Sequence, residues 1–290
     1  MPKILILGGT GFIGKNLKLF FESRNNHIIL SPTRQDLNLL DSAECKLYLK
    51  KHTPDIVIHA AVDINSAENS LKMFFNIYNE KNHYGHLIQL GSGAEYDKRY
   101  YQPKMNELQF GKSTPIDTYG LAKYLIAREL ESSKSTNVIN LRLFGIFGPY
   151  ENFMRRFISN NICRAMADQS ISINRDMFFD FIDVHDLAIF LEGLIFKLPL
   201  NSVSYNFCTG KPIYLSELAA MIMTEMNLDG EINIKEPGLN PEYSGSPKKI
   251  FDELGHFEFT PIKQSIKSLI NFYKNYLTED NLKEIRNMNV

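Results

Sequence analysis

No charge of either sign predominates in this 290-residue chain, where 33 acidic side chains face 32 basic ones and leave a net charge of −1. Without a basic surplus there is no long-range field to draw in nucleic acid or an anionic membrane, and a small-molecule partner fits better. Nor does any run approach the ~18–20 apolar residues of a membrane span. The start, Met1-Pro2-Lys3 followed by the short run Ile4–Leu7, lacks the apolar stretch of a signal peptide. A soluble, cytoplasmic protein with no nucleic-acid or membrane partner is therefore expected. Cysteine is scarce: Cys45, Cys163 and Cys208 are widely spaced, match no metal-ligand pattern and cannot all pair with one another. They read as reduced, buried and structural, and no metal site is expected. Repeats and low-complexity tracts are also missing. What the chain does have is 44% hydrophobic residues, enough to bury a substantial core.

Apolar runs of strand character occur at Ile4–Leu7, His27–Leu30, Ile56–His59, Leu87–Leu90 and Val138–Leu143. Helix-length segments lie between most of them, at Phe12–Arg24, Ser42–Lys51, Ala67–Glu80 and Tyr119–Ser132. This alternation is a βαβ rhythm and predicts a parallel sheet. After Pro149 the composition shifts to Asn, Arg and Met, a strand is expected over Phe178–Val184, and a helix follows from His185 to about Phe196. The chain thus leaves the sheet and returns. A second departure after Thr209-Gly210 carries a helix at Leu215–Met226, a Pro/Gly/Ser-rich stretch from Glu236 to Pro247 and a helical C-terminal part from Ile262. The fold class that follows is α/β, a doubly wound parallel sheet of Rossmann type with a smaller, discontinuous C-terminal domain. Residues 1–148 form the nucleotide-binding unit, rejoined by 178–208, and residues 149–290 are mainly substrate-binding.

GGTGFIG, residues 8–14, follows the first strand and opens a helix. Gly8 allows a tight turn, Gly11 lets the backbone approach a pyrophosphate, and Gly14 permits close helix–strand packing. The pyrophosphate then meets free N–H groups at the positive end of the helix dipole. At the end of the second strand, where NAD-binding domains usually carry an acid for the ribose hydroxyl, the chain reads Leu30-Ser31-Pro32-Thr33-Arg34. A guanidinium there matches a 2′-phosphate and favours NADP(H). Asp36-Leu37 follows closely enough to meet the adenine edge.

Tyr119 and Lys123 stand four residues apart in YGLAK, on one face of a helix. A neighbouring ammonium favours phenolate and so lowers a tyrosine's ordinary pKa near 10, which suits Tyr119 to exchanging a proton with a carbonyl or hydroxyl oxygen. LGSGAEY leaves Ser92 at the carboxyl end of the fourth strand, where α/β sheets place their ligands. Its hydroxyl is suited to bonding the same substrate oxygen.

Together with GGTGFIG, the segments DIVIHAA (55–61), LGSGAEY (90–96), YGLAK (119–123), LRLFGIFGP (141–149), FDFIDVHDLA (179–188), YNFCTG (205–210) and the ELG of 253–255 resemble the extended short-chain dehydrogenase/reductases that act on nucleotide sugars, over nearly the whole length. Within that family, RQDLNLLDS (34–42) and LGSGAEYDK (90–98) are most similar to GDP-fucose synthase-like 4-keto-sugar reductases. The resemblance implies a cofactor contacted by Thr10, Phe12 and Ile13 of the glycine loop, by Ala60 and Ala61, and by Lys123. It also implies that Arg34 holds the NADP 2′-phosphate. A homodimer is implied as well, although the stretch between Ala61 and Ser92 is short for the family and should trim one crossover helix.

Family dehydratases carry acidic residues just after the strand-end Ser, where this chain has Gly93 and Ala94. The epimerising cysteine of GDP-fucose synthase reads as Ala94, and 153–160 contains Met154, Arg155 and Arg156 but no histidine. What is left is reduction of a nucleotide-linked 4-keto-6-deoxy sugar, hexose or heptose, with GDP favoured over dTDP or CDP, in surface-polysaccharide sugar synthesis. Gly93, Ala94, Asn152, Arg156 and Arg175 are candidate substrate contacts, with Arg155, Lys211, Tyr205 and Asn206 behind them. The alternatives are a nucleotide-sugar epimerase, acting at C4 or combining 3,5-epimerisation with 4-reduction, and a non-catalytic NADP sensor. Arg34 argues against a C4-epimerase with tightly held NAD, and the intact Ser92, Tyr119 and Lys123 argue against the sensor.

Overall fold

Continuous apolar runs become parallel strands covered on both faces: β1 (Lys3–Leu7), β2 (Ile28–Leu30), β3 (Ile56–His59), β4 (His86–Ser92) and β5 (Val138–Leu143). Between them run α1 (Phe12–Arg24), α2 (Ser42–His52), α3 (Ala67–Tyr78) and α4 (Thr118–Ser133). This computed structural model describes residues 1–133 and 135–287. Beyond β5 come β6 (Ile146–Phe147), α5 (Phe157–Met166), β7 (Ser172–Ile173), β8 (Phe178–Phe179), β9 (Ile182–Asp183), α6 (Val184–Ile195) and β10 (Ser204–Phe207). The last part holds β11 (Ile213–Tyr214), α7 (Leu215–Met226), β12 (Asn233–Ile234), α8 (Lys248–Leu254), α9 (Ile262–Tyr276) and α10 (Glu279–Arg286). The six-stranded sheet has the order β2-β1-β3-β4-β5-β10, all parallel. Its direction of growth reverses between β1 and β3, and such a reversal opens a ligand crevice at the carboxyl ends of the strands.

Two features depart from the expected pattern. The strand anticipated over Phe178–Val184 is broken into β8 and β9, and neither joins the main sheet: β8 pairs with β11 and β9 with β6. Asp180 causes the break, because its buried carboxylate turns inward to accept the N–H groups of Thr209 at 3.0 Å and Gly210 at 2.8 Å. The edge strand β10 was not expected. Its SYNF sequence has a polar centre, and Asn206 is fully buried, accepting the Tyr96 hydroxyl at 2.8 Å and donating to Met105 O at 2.9 Å.

Apolar side chains gather on both faces of the sheet. The face that includes α1 and α6 also collects Ile182, Leu187, Leu191, Tyr205, Phe207 and Ile250 from the later chain. A separate core is built from Phe147, α5, α7 and α9 and closed by Ile285. All three cysteines are buried and unpaired. Among the described residues no helix is long and apolar enough to cross a membrane, and no cluster of three His, Cys, Asp or Glu is placed to hold a metal.

The second core encloses an ionisable group. Glu151 is 4% exposed and accepts the Ser159 hydroxyl at 2.5 Å. Burial raises its carboxyl from 4.5 to about 7, against the opposing pull of Ser159 and Arg156. The folded state then binds this proton more tightly than the unfolded chain, so this group's contribution is greatest at acid pH and is lost as pH rises from about 4.5 to about 7. Glu151→Gln is accordingly expected to melt at a higher temperature than the parent above neutrality, the difference disappearing in acid. Melting curves of the two proteins that ran in parallel across pH would refute this.

Candidate active site

The glycine loop sits at the sheet's reversal point. Gly8 has φ +83°, and a Cβ there would lie 2.7 Å from Ala61 N, so only glycine lets β1 turn this close to the end of β3. The helix that follows is prepared for an anion. α1 starts after Gly11 with no side-chain cap and no acid in its first turn, so no side chain of its own claims its first N–H groups. Its free N–H groups border a cleft of about 820 Å³. Gly8, Thr10, Gly11, Phe12, Ile13, Gly14, Arg34, Leu37, Ala60 and Ala61 line this cleft together with Tyr119 and Arg156. Those residues fit a dinucleotide: the uncapped amides suit a diphosphate, and Arg34, in no ion pair among the described residues, is available to a further phosphate. Asp36 is placed differently from expectation. Its carboxylate accepts Thr33 N at 2.9 Å and Thr33 Oγ1 at 2.7 Å, closing its own turn instead of lining the cleft.

Ser92, Tyr119 and Lys123 come together where β4 ends and α4 begins. Asp117 caps that helix by accepting Gly120 N at 2.9 Å, which sets Tyr119 at its first turn. Lys123 Nζ lies 5.9 Å from the Tyr119 ring centroid, as the four-residue spacing requires. The ammonium is 5% exposed and donates to Leu90 O at 2.6 Å. Burial draws it down to about 8, and Glu95 opposes that shift. Here the direction differs from expectation: burial raises the Tyr119 phenol above its ordinary value, and the groups that pull it back are the Ser92 side chain and, less strongly, Arg156. Tied to Leu90 O, the ammonium faces the Tyr119 ring.

Sequence reasoning missed the group that holds Ser92. Glu95 is 1% exposed and accepts Ser92 N at 3.0 Å, Asn140 Nδ2 at 3.0 Å and Arg142 Nε at 2.6 Å. Ser92 Oγ in turn accepts Ala94 N at 3.1 Å, so the two residues form a reciprocal cap on a short turn at 93–95. Arg142, 0% exposed on β5, packs its guanidinium 4.3 Å from the Phe110 ring centroid. The signal was present, since Ser92-x-x-Glu95 is the spacing of a capping box.

The candidate substrate residues divide. Arg156 is exposed, lines the cleft with Tyr119 and acts electrostatically on it. Gly93 lies under the Tyr243 hydroxyl, which a Cβ at Gly93 would approach to 2.5 Å, and the Ala94 amide is bound to Ser92. Neither lines the cleft. Asn152 caps a local turn through Met154 N at 3.1 Å, and Arg175 pairs with Glu236 at 2.7 Å on the surface, away from the cleft. Arg155 and Lys211 do not line the cleft either. Tyr205 and Asn206 are fully buried structural groups: Tyr205 donates to Glu253 and accepts Ser202 N.

The family model of the NAD dependent epimerase/dehydratase family matches residues 4–194. GDP-L-fucose synthase of Azorhizobium caulinodans is 39% identical over 257 residues, 79% of this chain and 82% of its own. GDP-6-deoxy-D-talose 4-dehydrogenase of Aggregatibacter actinomycetemcomitans is 25% identical over 297 residues, 96% of this chain and 99% of its own. In fold the chain is similar to GDP-mannoheptose C4 reductase of Campylobacter jejuni with NADP bound, with a TM-score of 0.80, 20% identity and coverage of 94% of this chain and 98% of that one. The glycine cradle at the sheet reversal and the strand-end serine beside a Tyr-x-x-x-Lys helix thus lie on a scaffold that both sequence and fold comparisons match, and the chain is a member of the NAD dependent epimerase/dehydratase family.

Proposed function

We propose that this protein is an NADPH-dependent reductase of a GDP-linked 4-keto-6-deoxy sugar. The observation that carries the reading is that one cleft is lined by Arg34, by the uncapped start of α1, by Tyr119 and by Arg156. It gives a cofactor phosphate, a diphosphate, a proton donor and a second cation places along a single groove. The relatives whose names specify GDP-linked sugars support the substrate class. Bound in the groove, the nicotinamide supplies the hydride. Ser92 holds the keto oxygen by a hydrogen bond, and Tyr119 gives that oxygen its proton. The raised phenol favours this direction, because it keeps the proton on Tyr119 until an alkoxide develops. Lys123 anchors the start of α4 to β4 through Leu90 O; although it does not itself line the cleft, its remaining N–H groups would hold the nicotinamide ribose. Arg156 meets the sugar diphosphate, which assigns the core of α5, α7 and α9 to the substrate.

The test is NADPH oxidation with a panel of GDP-, dTDP- and CDP-linked 4-keto-6-deoxy sugars run in D2O. Consumption is expected with a GDP sugar and without deuterium at C3 or C5, since Gly93 and Ala94 supply no acid or base there. No oxidation with any member would end the reductase reading, and solvent deuterium at C3 or C5 would add epimerisation to it. Arg34→Ala is expected to raise the KM for NADPH roughly 10–100-fold, the loss of a charge-assisted pair, and to leave the KM for NADH nearly unchanged. Equal effects on both cofactors would remove Arg34 from the 2′-phosphate.

A further inference from the structure

A second tyrosine stands beside the same serine. Tyr243 lies in the Pro/Gly/Ser-rich stretch before α8, and its backbone is fixed by hydrogen bonds to an earlier segment. Tyr243 N donates to Phe178 O at 2.9 Å, and Tyr243 O accepts Asp180 N at 2.9 Å. Its ring packs 4.8 Å from Phe179, 5.1 Å from Phe144 and 5.2 Å from Tyr101, centroid to centroid. Tyr101 is itself anchored, donating its hydroxyl to Gly93 O at 3.3 Å. These contacts leave the Tyr243 hydroxyl over the bare Cα of Gly93, where a Cβ would come within 2.5 Å of it. That places it beside Ser92, the residue next to Gly93, and the Ser92 side chain pulls against the burial that raises both the Tyr243 and the Tyr119 phenol.

The bonding capacity of Ser92 Oγ then determines what each tyrosine does. A hydroxyl has one proton and two lone pairs. Ala94 N takes one lone pair. When Tyr119 gives up its proton, its phenolate oxygen becomes an acceptor, and the Ser92 proton is the donor nearest to hand. The remaining Ser92 lone pair is left for a donor from another side, and the Tyr243 hydroxyl, held over the neighbouring Gly93, is the group placed to supply one. We propose that Tyr243 is a positioning residue for the reduction, donating to Ser92 Oγ so that the Ser92 proton points at Tyr119 and the substrate oxygen. Chains of such O–H donors strengthen one another. This inference rests on the proposed reductase reading for its turnover consequence but not for its structural one.

The experiment therefore has a readout that needs no substrate. The ionisation of Tyr119 is followed as the ultraviolet difference between a protein with Tyr119 and its Tyr119→Phe counterpart during a pH titration. Tyr243→Phe keeps the ring and removes only the hydroxyl. It is expected to move the Tyr119 ionisation to higher pH, because the phenolate loses the support relayed through Ser92. Gly93→Ala, which displaces the hydroxyl, should move it the same way. In a Ser92→Ala background Tyr243→Phe should produce no further movement. In turnover, kcat falls about tenfold, one hydrogen bond's worth, with the KM for NADPH unchanged, and the Ser92→Ala, Tyr243→Phe double variant is no slower than Ser92→Ala alone. A Tyr119 ionisation unmoved by Tyr243→Phe overturns the proposal whatever the enzyme turns over. A shift in ionisation with no GDP sugar reduced leaves Tyr243 where we place it and refutes the substrate instead.

Discussion

Tyr119→Phe is expected to lower kcat for 4-keto-sugar reduction by about a thousandfold, within the 10²–10⁴ that a positioned general acid contributes. NADPH binding, followed by nicotinamide fluorescence, should be nearly unaffected. The split follows from the geometry. The phenol stands in the cleft with Arg156, but the amides of α1 and the Arg34 guanidinium that would grip the dinucleotide lie on the β1–α1 loop and beyond β2. Phenylalanine keeps the ring that Lys123 faces, so the fold at the start of α4 is undisturbed and only the proton is lost. Ser92 remains to polarise the carbonyl, which leaves measurable residual activity. A Tyr119→Phe enzyme within about tenfold of the parent would show that water or another group delivers the proton.

The largest stability effect is expected at Glu95. Removing one member of a buried ion pair costs about 3–5 kcal/mol, because the other charge is left without compensation, and the Glu95 and Arg142 side chains are 1% and 0% exposed. Glu95→Gln preserves the shape and strands the Arg142 guanidinium between β4 and β5. Its outer partner Glu131 reaches it at 3.2 Å but is 41% exposed and compensates poorly. The melting temperature should drop by an amount on the order of 10 °C. Glu95→Met combined with Arg142→Met should recover part of that drop, since two apolar side chains leave no orphaned charge. The recovered protein should nonetheless reduce substrate slowly, Ser92 N having lost its acceptor. A Glu95→Gln protein melting within a degree or two of the parent would mean that Arg142 is not paid for by this carboxylate.

How much of this was legible varied with how local the governing forces are. β1 and β3 could be read directly because a strand buried on both faces is written as a nearly unbroken apolar run, β5 kept enough of one around Asn140 and Arg142 to be read as well, and the bounds of α1 and α7 follow from their flanking residues. The glycine loop and the Tyr119–Lys123 spacing were equally legible, since each depends on neighbours within one turn. What could not be read depended on contacts far along the chain. Nothing near Asp180 announces that Thr209 and Gly210 will draw it inward and split a strand. Asn206 makes β10 look like a loop until Tyr96 and Met105 are in place beside it. Tyr243 gains its position from Phe178 and Asp180, more than sixty residues earlier. Glu95 is the exception, because its role is written locally in the Ser92-x-x-Glu95 spacing of a capping box.

The interleaving of the chain between its cores also constrains how such a protein can be altered. Tyr205, Phe207 and Ile250 complete the packing beside β5, although the second core begins at Phe147 and closes only at Ile285. A fragment ending near residue 150 would expose the flank of β5 and the face of α1 that α6 covers. It should be recovered as aggregate and not as a free nucleotide-binding half. Exchange of sugar preference by grafting one contiguous C-terminal block from a relative would meet the same obstacle. The substitutions that retune this protein have to be scattered, because the later chain is threaded through the packing of the main sheet and cannot be lifted off it.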